Sequence, residues 1–162
     1  MLIEKLISPV IPTLLPTDSG NRALHLMEEN NVTHLPLVVN KEYTALVQEH
    51  VLIDWPTPES PLSMADFLDY KPAVIASGHP FDALRLAHTY NIDIVPVVDN
   101  MNIYIGAITR NNLLNYITEN SGLDHPGGII SLEITPRNYS LAEIARICEY
   151  EELTIITWQL YT

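Results

Sequence analysis

Apolar and polar positions follow a pattern that is written twice along the chain. Residues 11–40 align with residues 71–100 without a gap, so VTHLPLVVN returns sixty residues later as IDIVPVVDN. Eight of the thirty positions are identical: Pro12/Pro72, Ala23/Ala83, Leu24/Leu84, Leu26/Leu86, Asn31/Asn91, Pro36/Pro96, Val38/Val98 and Asn40/Asn100. Six of the others stay apolar, among them Leu14/Val74, Val32/Ile92 and Leu37/Val97. Self-similarity of this kind sets the architecture before any single element is assigned.

Each copy predicts the same order of elements. A short apolar strand, TLL or AVI, leads into a turn, PTDSG or ASGHP, with cap-type residues. A helix follows, with Ala23, Leu24 and Met27 or Ala83, Leu84 and Ala87 at helical spacing. A β-branched run, LPLVV or VPVVD, then turns into a second strand, YTALV or IYIGAIT. A short helix closes the unit, HVLIDW or NLLNYI. The second copy is read with two extra residues in its strand-to-strand turn, which offsets the later match by 62. Each unit is thus β-α-β-β-α. Neither could cover its small sheet alone, so the two should pack together about a pseudo-twofold axis.

Composition narrows the function. Hydrophobic residues make up 47% of the 162 positions, enough for a buried core. Eight Lys and Arg against twenty Asp and Glu leave a net charge of -12, which disfavours nucleic acid and anionic membrane surfaces. No apolar run approaches the roughly 20 residues that span a bilayer. A single cysteine, Cys148, fits a reducing cytoplasm and, on an apolar helix face, a buried structural thiol. The chain has no P-loop, G-x-S-x-G, H-E-x-x-H or C-x-x-C, and its six histidines are scattered. The expectation is therefore a protein that is not an enzyme, with no metal site and no required cofactor.

VPVVDNMNIYIGAITRNNLL resembles the signature of CBS domains, whose tandem pairs are called Bateman modules. The resemblance spans residues 8–119, read as one repeat over 1–60 and a second over 61–119. It implies an α+β fold, an adenosyl ligand between the repeats (AMP, ADP, ATP or S-adenosylmethionine) and a homodimer. It also implies that the module regulates an enzyme or transporter partner. The family's Thr/Ser-x-x-Asp maps onto Thr109 and Asn112 in the second copy and onto Val47 and His50 in the first. Asn lacks the charge-assisted acceptor of Asp, and helix capping is an equal reading of this Thr and Asn.

Because the resemblance implies clefts that mix both repeats, two candidate sites follow. Site A would combine Ile108, Thr109, Arg110 and Asn112 with Ser8, Thr13, Val32, Thr33 and His34; His34 would point at a phosphate or pack inward. Site B would combine Val47 and His50 with Ala73, Ile92 and Asp93. It reads as degenerate, with Asp93 placed to repel phosphates.

The tail changes character. After a polar linker over 120–127, residues 128–162 read as strand, helix and strand. Ile129, Ile130, Leu132 and Ile134 make the first strand, Leu141, Ile144, Ala145 and Cys148 the helix face, and Leu153 to Tyr161 the second strand. This β-α-β segment resembles the first half of an ACT domain, with NYSL where that family has Pro-Gly. A half sheet leaves unpaired edges, so a second subunit or a continuation of the chain would complete it. The leading expectation is a regulatory sensor module. The alternative is a ligand-free dimerisation or protein-interaction scaffold.

Overall fold

The computed structural model describes residues 2–123, 125–133 and 140–160. It divides the chain into two units, 1–115 and 116–162. The first unit holds both repeats.

Repeat 1 runs α1 (Gly20–Asn30), β1 (His34–Val39), β2 (Glu42–Gln48) and α2 (Glu49–Ile53). Repeat 2 runs β3 (Val74–Ile75), α3 (Pro80–Tyr90), β4 (Ile94–Val98), β5 (Tyr104–Thr109) and α4 (Arg110–Asn120). In repeat 2 the leading strand pairs in parallel with β4, placing Val74 opposite Val97. In repeat 1 the equivalent contact, Leu14 opposite Leu37, is an isolated bridge. The N–H of Leu14 donates to Pro36 O at 2.8 Å, so the N–H that Pro36 lacks falls on this weakly paired side. The β1–β2 hairpin ladder loses nothing to the proline.

The identical Asn31 and Asn91 have a backbone cause. Both end a helix in the left-handed region, with φ of 52° and 50°. The following N–H groups of Val32 and Ile92 reach back to Met27 O at 3.0 Å and Ala87 O at 3.1 Å. Asn accepts this conformation more readily than other residues with a side chain, and the reach-back closes the helix end.

Strand register corrects the sequence alignment of the hairpins. His34 lies opposite Gln48 in the first, and Ile94 lies opposite Thr109 in the second. The later offset is therefore 61, with one net extra residue in the second turn rather than two. Tyr43 then matches Tyr104, and the buried Leu52 matches the buried Leu113. The first turn is the two-residue Asn40–Lys41 pair at φ 50° and 74°, the conformation that suits a tight hairpin. In the second, Asp99 Oδ1 accepts from the N–H groups of Met101 and Ile103.

The two repeats exchange their lead-in segments. Ser8 N–H donates to Ala107 O on β5, and Leu46 N–H on β2 donates to Tyr70 O, both at 2.8 Å. The hairpin tips also bond each other, through Tyr43 N–H to Asn102 O and Tyr104 N–H to Lys41 O. Beneath repeat 1, Leu14, Met27, Leu35, Leu37, Val47 and Leu52 form a closed apolar core. At Gly106 the N-terminal segment comes so close that an added Cβ would overlap Ile7.

In the second unit, α5 (Leu141–Tyr150) forms where the helix is expected, with Ser140 accepting from Glu143 N–H at its start. The expected flanking strands do not form: residues 129–133 and 153–160 carry no strand pairing. Pairing needs a neighbouring strand, and these segments find none among the described residues. Ile134 and Tyr161, also expected in those strands, lie outside the described residues. Cys148 is half-buried rather than enclosed. No helix among the described residues is long and apolar enough to cross a membrane.

Candidate functional site

Thr109 and Asn112 form a closed pair at the start of α4. Asn112 Oδ1 accepts from Thr109 N–H at 3.0 Å and from the Thr109 hydroxyl at 2.6 Å. Asn112 N–H returns a bond to Thr109 Oγ1 at 3.1 Å. Because a backbone N–H faces it, the Asn112 atom in this pair must be the oxygen. The amide N–H groups therefore point away and are the donors that this side chain can offer a ligand.

The lead-in exchange brings Ser8 beside β5. Ile108 on that strand is buried, while Ser8, Thr109 and Asn112 are half-buried. Arg110 N–H donates to Asp93 O at 2.9 Å, and its guanidinium reaches Asn91 Oδ1 at 3.4 Å. Thr13 is exposed next to the Leu14 bridge, and Val32 is half-buried at the end of α1.

Asp93 belongs with Thr33 and His34. Thr33 N–H donates to Asp93 Oδ2 at 2.7 Å, and the Thr33 hydroxyl donates to the same oxygen at 3.0 Å. His34 Nδ1 lies 2.7 Å from Asp93 Oδ1, so that nitrogen carries the proton. His34 is 7% exposed and is the single polar residue among the described buried ones. Burial works against the Asp93 charge. The bonds from His34 and Thr33 outweigh it and hold the carboxyl below its ordinary range. Asp93 thus joins two residues grouped with site A instead of standing alone in site B, and its charge is spent at the seam between the repeats.

The remaining site B residues scatter. Val47 and Ile92 are buried in the core, His50 is exposed on α2, and Ala73 lines a separate cleft with Ile3, Arg85 and Tyr90. The register puts Gln48, not Val47, at the position of Thr109, and Val51, not His50, at that of Asn112. Gln48 makes no side-chain cap for α2, so the first repeat has no counterpart of the Thr109–Asn112 pair. Sequence reasoning missed the link from Asp93 to Thr33. The offset of sixty could have shown it, since Thr33 and Asp93 are equivalent positions that an axis between the repeats can bring face to face.

Two clefts open on the first unit. One of about 530 Å³ lies between the N-terminal turn and α3. The other, of about 660 Å³, is lined by His25, Glu28, Val32, Thr33 and Glu49. Neither is lined by Thr109 or Asn112. Among the described residues no group of three or more His, Cys, Asp or Glu side chains could hold a metal ion.

The CBS domain family model matches residues 3–47 and 71–119. Among solved structures, a CBS domain pair/ACT domain protein from Thermotoga maritima is 19% identical with a TM-score of 0.63, over 74% of this chain and 98% of that one. CBSX2 in complex with AMP, a CBS-pair protein of Arabidopsis thaliana, is 23% identical with a TM-score of 0.62, over 73% and 96%. The CBS domains of a transcriptional regulator from Streptococcus pneumoniae are 19% identical with a TM-score of 0.60, over 71% and 98%. At these identities the neighbours speak for the fold. With two matched repeats that exchange their lead-in segments, the chain belongs to the CBS domain family and carries a CBS-pair regulatory module.

Proposed function

We propose that this module senses an adenosyl ligand held at site A, against the start of α4. The observation that carries the reading is the meeting of Ser8, from the N-terminal lead-in, with the β5–α4 corner that bears Thr109 and Asn112. Residues about a hundred positions apart thereby frame one corner, and the exposed guanidinium of Arg110 adds its only nearby cation on α4. AMP bound to CBSX2 supports this ligand class. A monophosphate or S-adenosylmethionine suits so acidic a chain better than ATP, whose extra charge meets more repulsion. Binding would regulate a partner enzyme or transporter by favouring one packing of the repeats, within a homodimer. Calorimetric titration with AMP, ADP, ATP and S-adenosylmethionine tests this. Saturable heat with one of them, lost in Thr109→Ala/Asn112→Ala, is expected; no heat with any of the four overturns it.

A second reading, a ligand-free scaffold for dimerisation or protein interaction, draws on a specific observation. Thr109 with Asn112, and Thr33 and His34 with Asp93, already satisfy one another. Under this reading the double variant keeps its oligomeric state in analytical ultracentrifugation and loses only cap stability.

A further inference from the structure

Thr33 and His34 build a receptor for a carboxylate, and the chain fills it with its own. Three donors converge on one group: Thr33 N–H at 2.7 Å, the Thr33 hydroxyl at 3.0 Å and His34 Nδ1–H at 2.7 Å. The backbone donor stands just before β1, where Thr33 O accepts from Glu49 N–H at 2.9 Å, and the His34 ring is held by the core around it, with 9% of its side chain exposed. Such donors, oriented in advance and partly shielded from water, are the usual makings of an anion site. Their occupant, Asp93, comes from the other repeat.

Two features bear on whether that occupant can leave. The Asp93 backbone is anchored by Arg110 N–H on its carbonyl at 2.9 Å, so the carboxylate can swing out by side-chain rotation alone. Thr33 is exposed and lines the 660 Å³ cleft, which gives an outside anion a path to its two donors, while His34 stands behind it, outside the cleft lining. Glu28 and Glu49 line that cleft too, and their charges disfavour a multiply charged group.

The geometry points to Asp93 as an internal competitor: it occupies a three-donor cradle, and its withdrawal would open that cradle to an external monocarboxylate. The contact is autoinhibitory, since the carboxylate that locks the two repeats together also excludes the ligand. Its donors, Thr33 and His34, belong to site A, but the test below uses formate and needs no adenosyl ligand.

Chemical rescue of the full chain tests it. In Asp93→Ala the three donors lose their shared carboxylate, with His34 Nδ1 keeping only Thr33 Oγ1 at 2.9 Å, and formate should restore it. The melting temperature of the variant should rise saturably, by about 3 °C at ten times the formate dissociation constant. The Thr33 amide resonance should move with the same half-saturation. The parent protein should respond to formate no more than to chloride at equal ionic strength. If Asp93→Ala does not fold, Asp93→Ser leaves the cradle nearly as open and takes its place. Rescue that chloride reproduces, or no response in either variant, overturns the proposal.

Discussion

Thr33 and Asp93 occupy equivalent positions sixty residues apart, and they bond each other at 2.7 Å across the seam between the repeats. A pseudo-twofold axis makes such self-meetings geometrically natural. Here the meeting is chemically asymmetric, with donors on one side and a carboxylate on the other.

Removing one side should cost more than removing a surface pair. Asp93→Ala leaves the Thr33 N–H without its acceptor and leaves the buried His34 Nδ1 with Thr33 Oγ1 alone, at 2.9 Å, a loss of about 1–3 kcal/mol by the usual penalty for orphaned buried donors. Thr33→Val, which keeps the backbone donor, should cost less. Urea unfolding of both variants measures the difference.

Acid should weaken this seam in a defined window. The folded Asp93 carboxyl lies below its ordinary range, so the unfolded chain takes up its proton first as pH falls. The stabilisation is complete above the unfolded value of about 3.9 and is lost as pH drops from there through the folded value. Melting curves between pH 6 and pH 2 should show a steeper acid loss in the parent than in Asp93→Asn.

The Thr109–Asn112 pair should behave as one unit. Thr109→Ala and Asn112→Ala should each cost about 1 kcal/mol, the usual worth of a helix cap. Because each side chain serves the other, the double variant should cost clearly less than the two losses added. A double-mutant cycle in denaturant measures that coupling.

The left-handed helix ends give a matched pair of tests. Asn31→Ala and Asn91→Ala should each destabilise by about 1 kcal/mol, since alanine resists positive φ. The corresponding glycine variants should be near neutral. Equal losses at the two sites would show that the repeats share this device.

Close approach at Gly106 makes a further test. Gly106→Ala should destabilise by about 1–3 kcal/mol, because the new methyl overlaps Ile7 of the crossed lead-in. Gly106→Ala combined with Ile7→Ala should recover part of that loss in the same unfolding assay.

By itself the sequence determined the repeat, the order of elements within it, and the residues at element ends. Those features depend on local periodicity and on backbone preferences that neighbouring residues impose. Asn31, Asn91 and the paired prolines stood out as repeated identities, and the backbone then gave the two asparagines their place at helix ends. The later hairpin offset was not legible, because a turn can absorb one residue or two and only the ladder counts them. The tail strands were read from β-rich runs, yet a strand exists only where another backbone accepts its hydrogen bonds.

Tertiary structure alone decided which polar groups meet. The family resemblance implied one site for Thr33 and His34 and another for Asp93, while packing the repeats face to face put all three on one set of bonds. Likewise Ser8 reached Thr109's strand only through the crossed lead-ins. Pairings of this kind depend on how two folded units orient, and no local pattern along either one encodes that orientation.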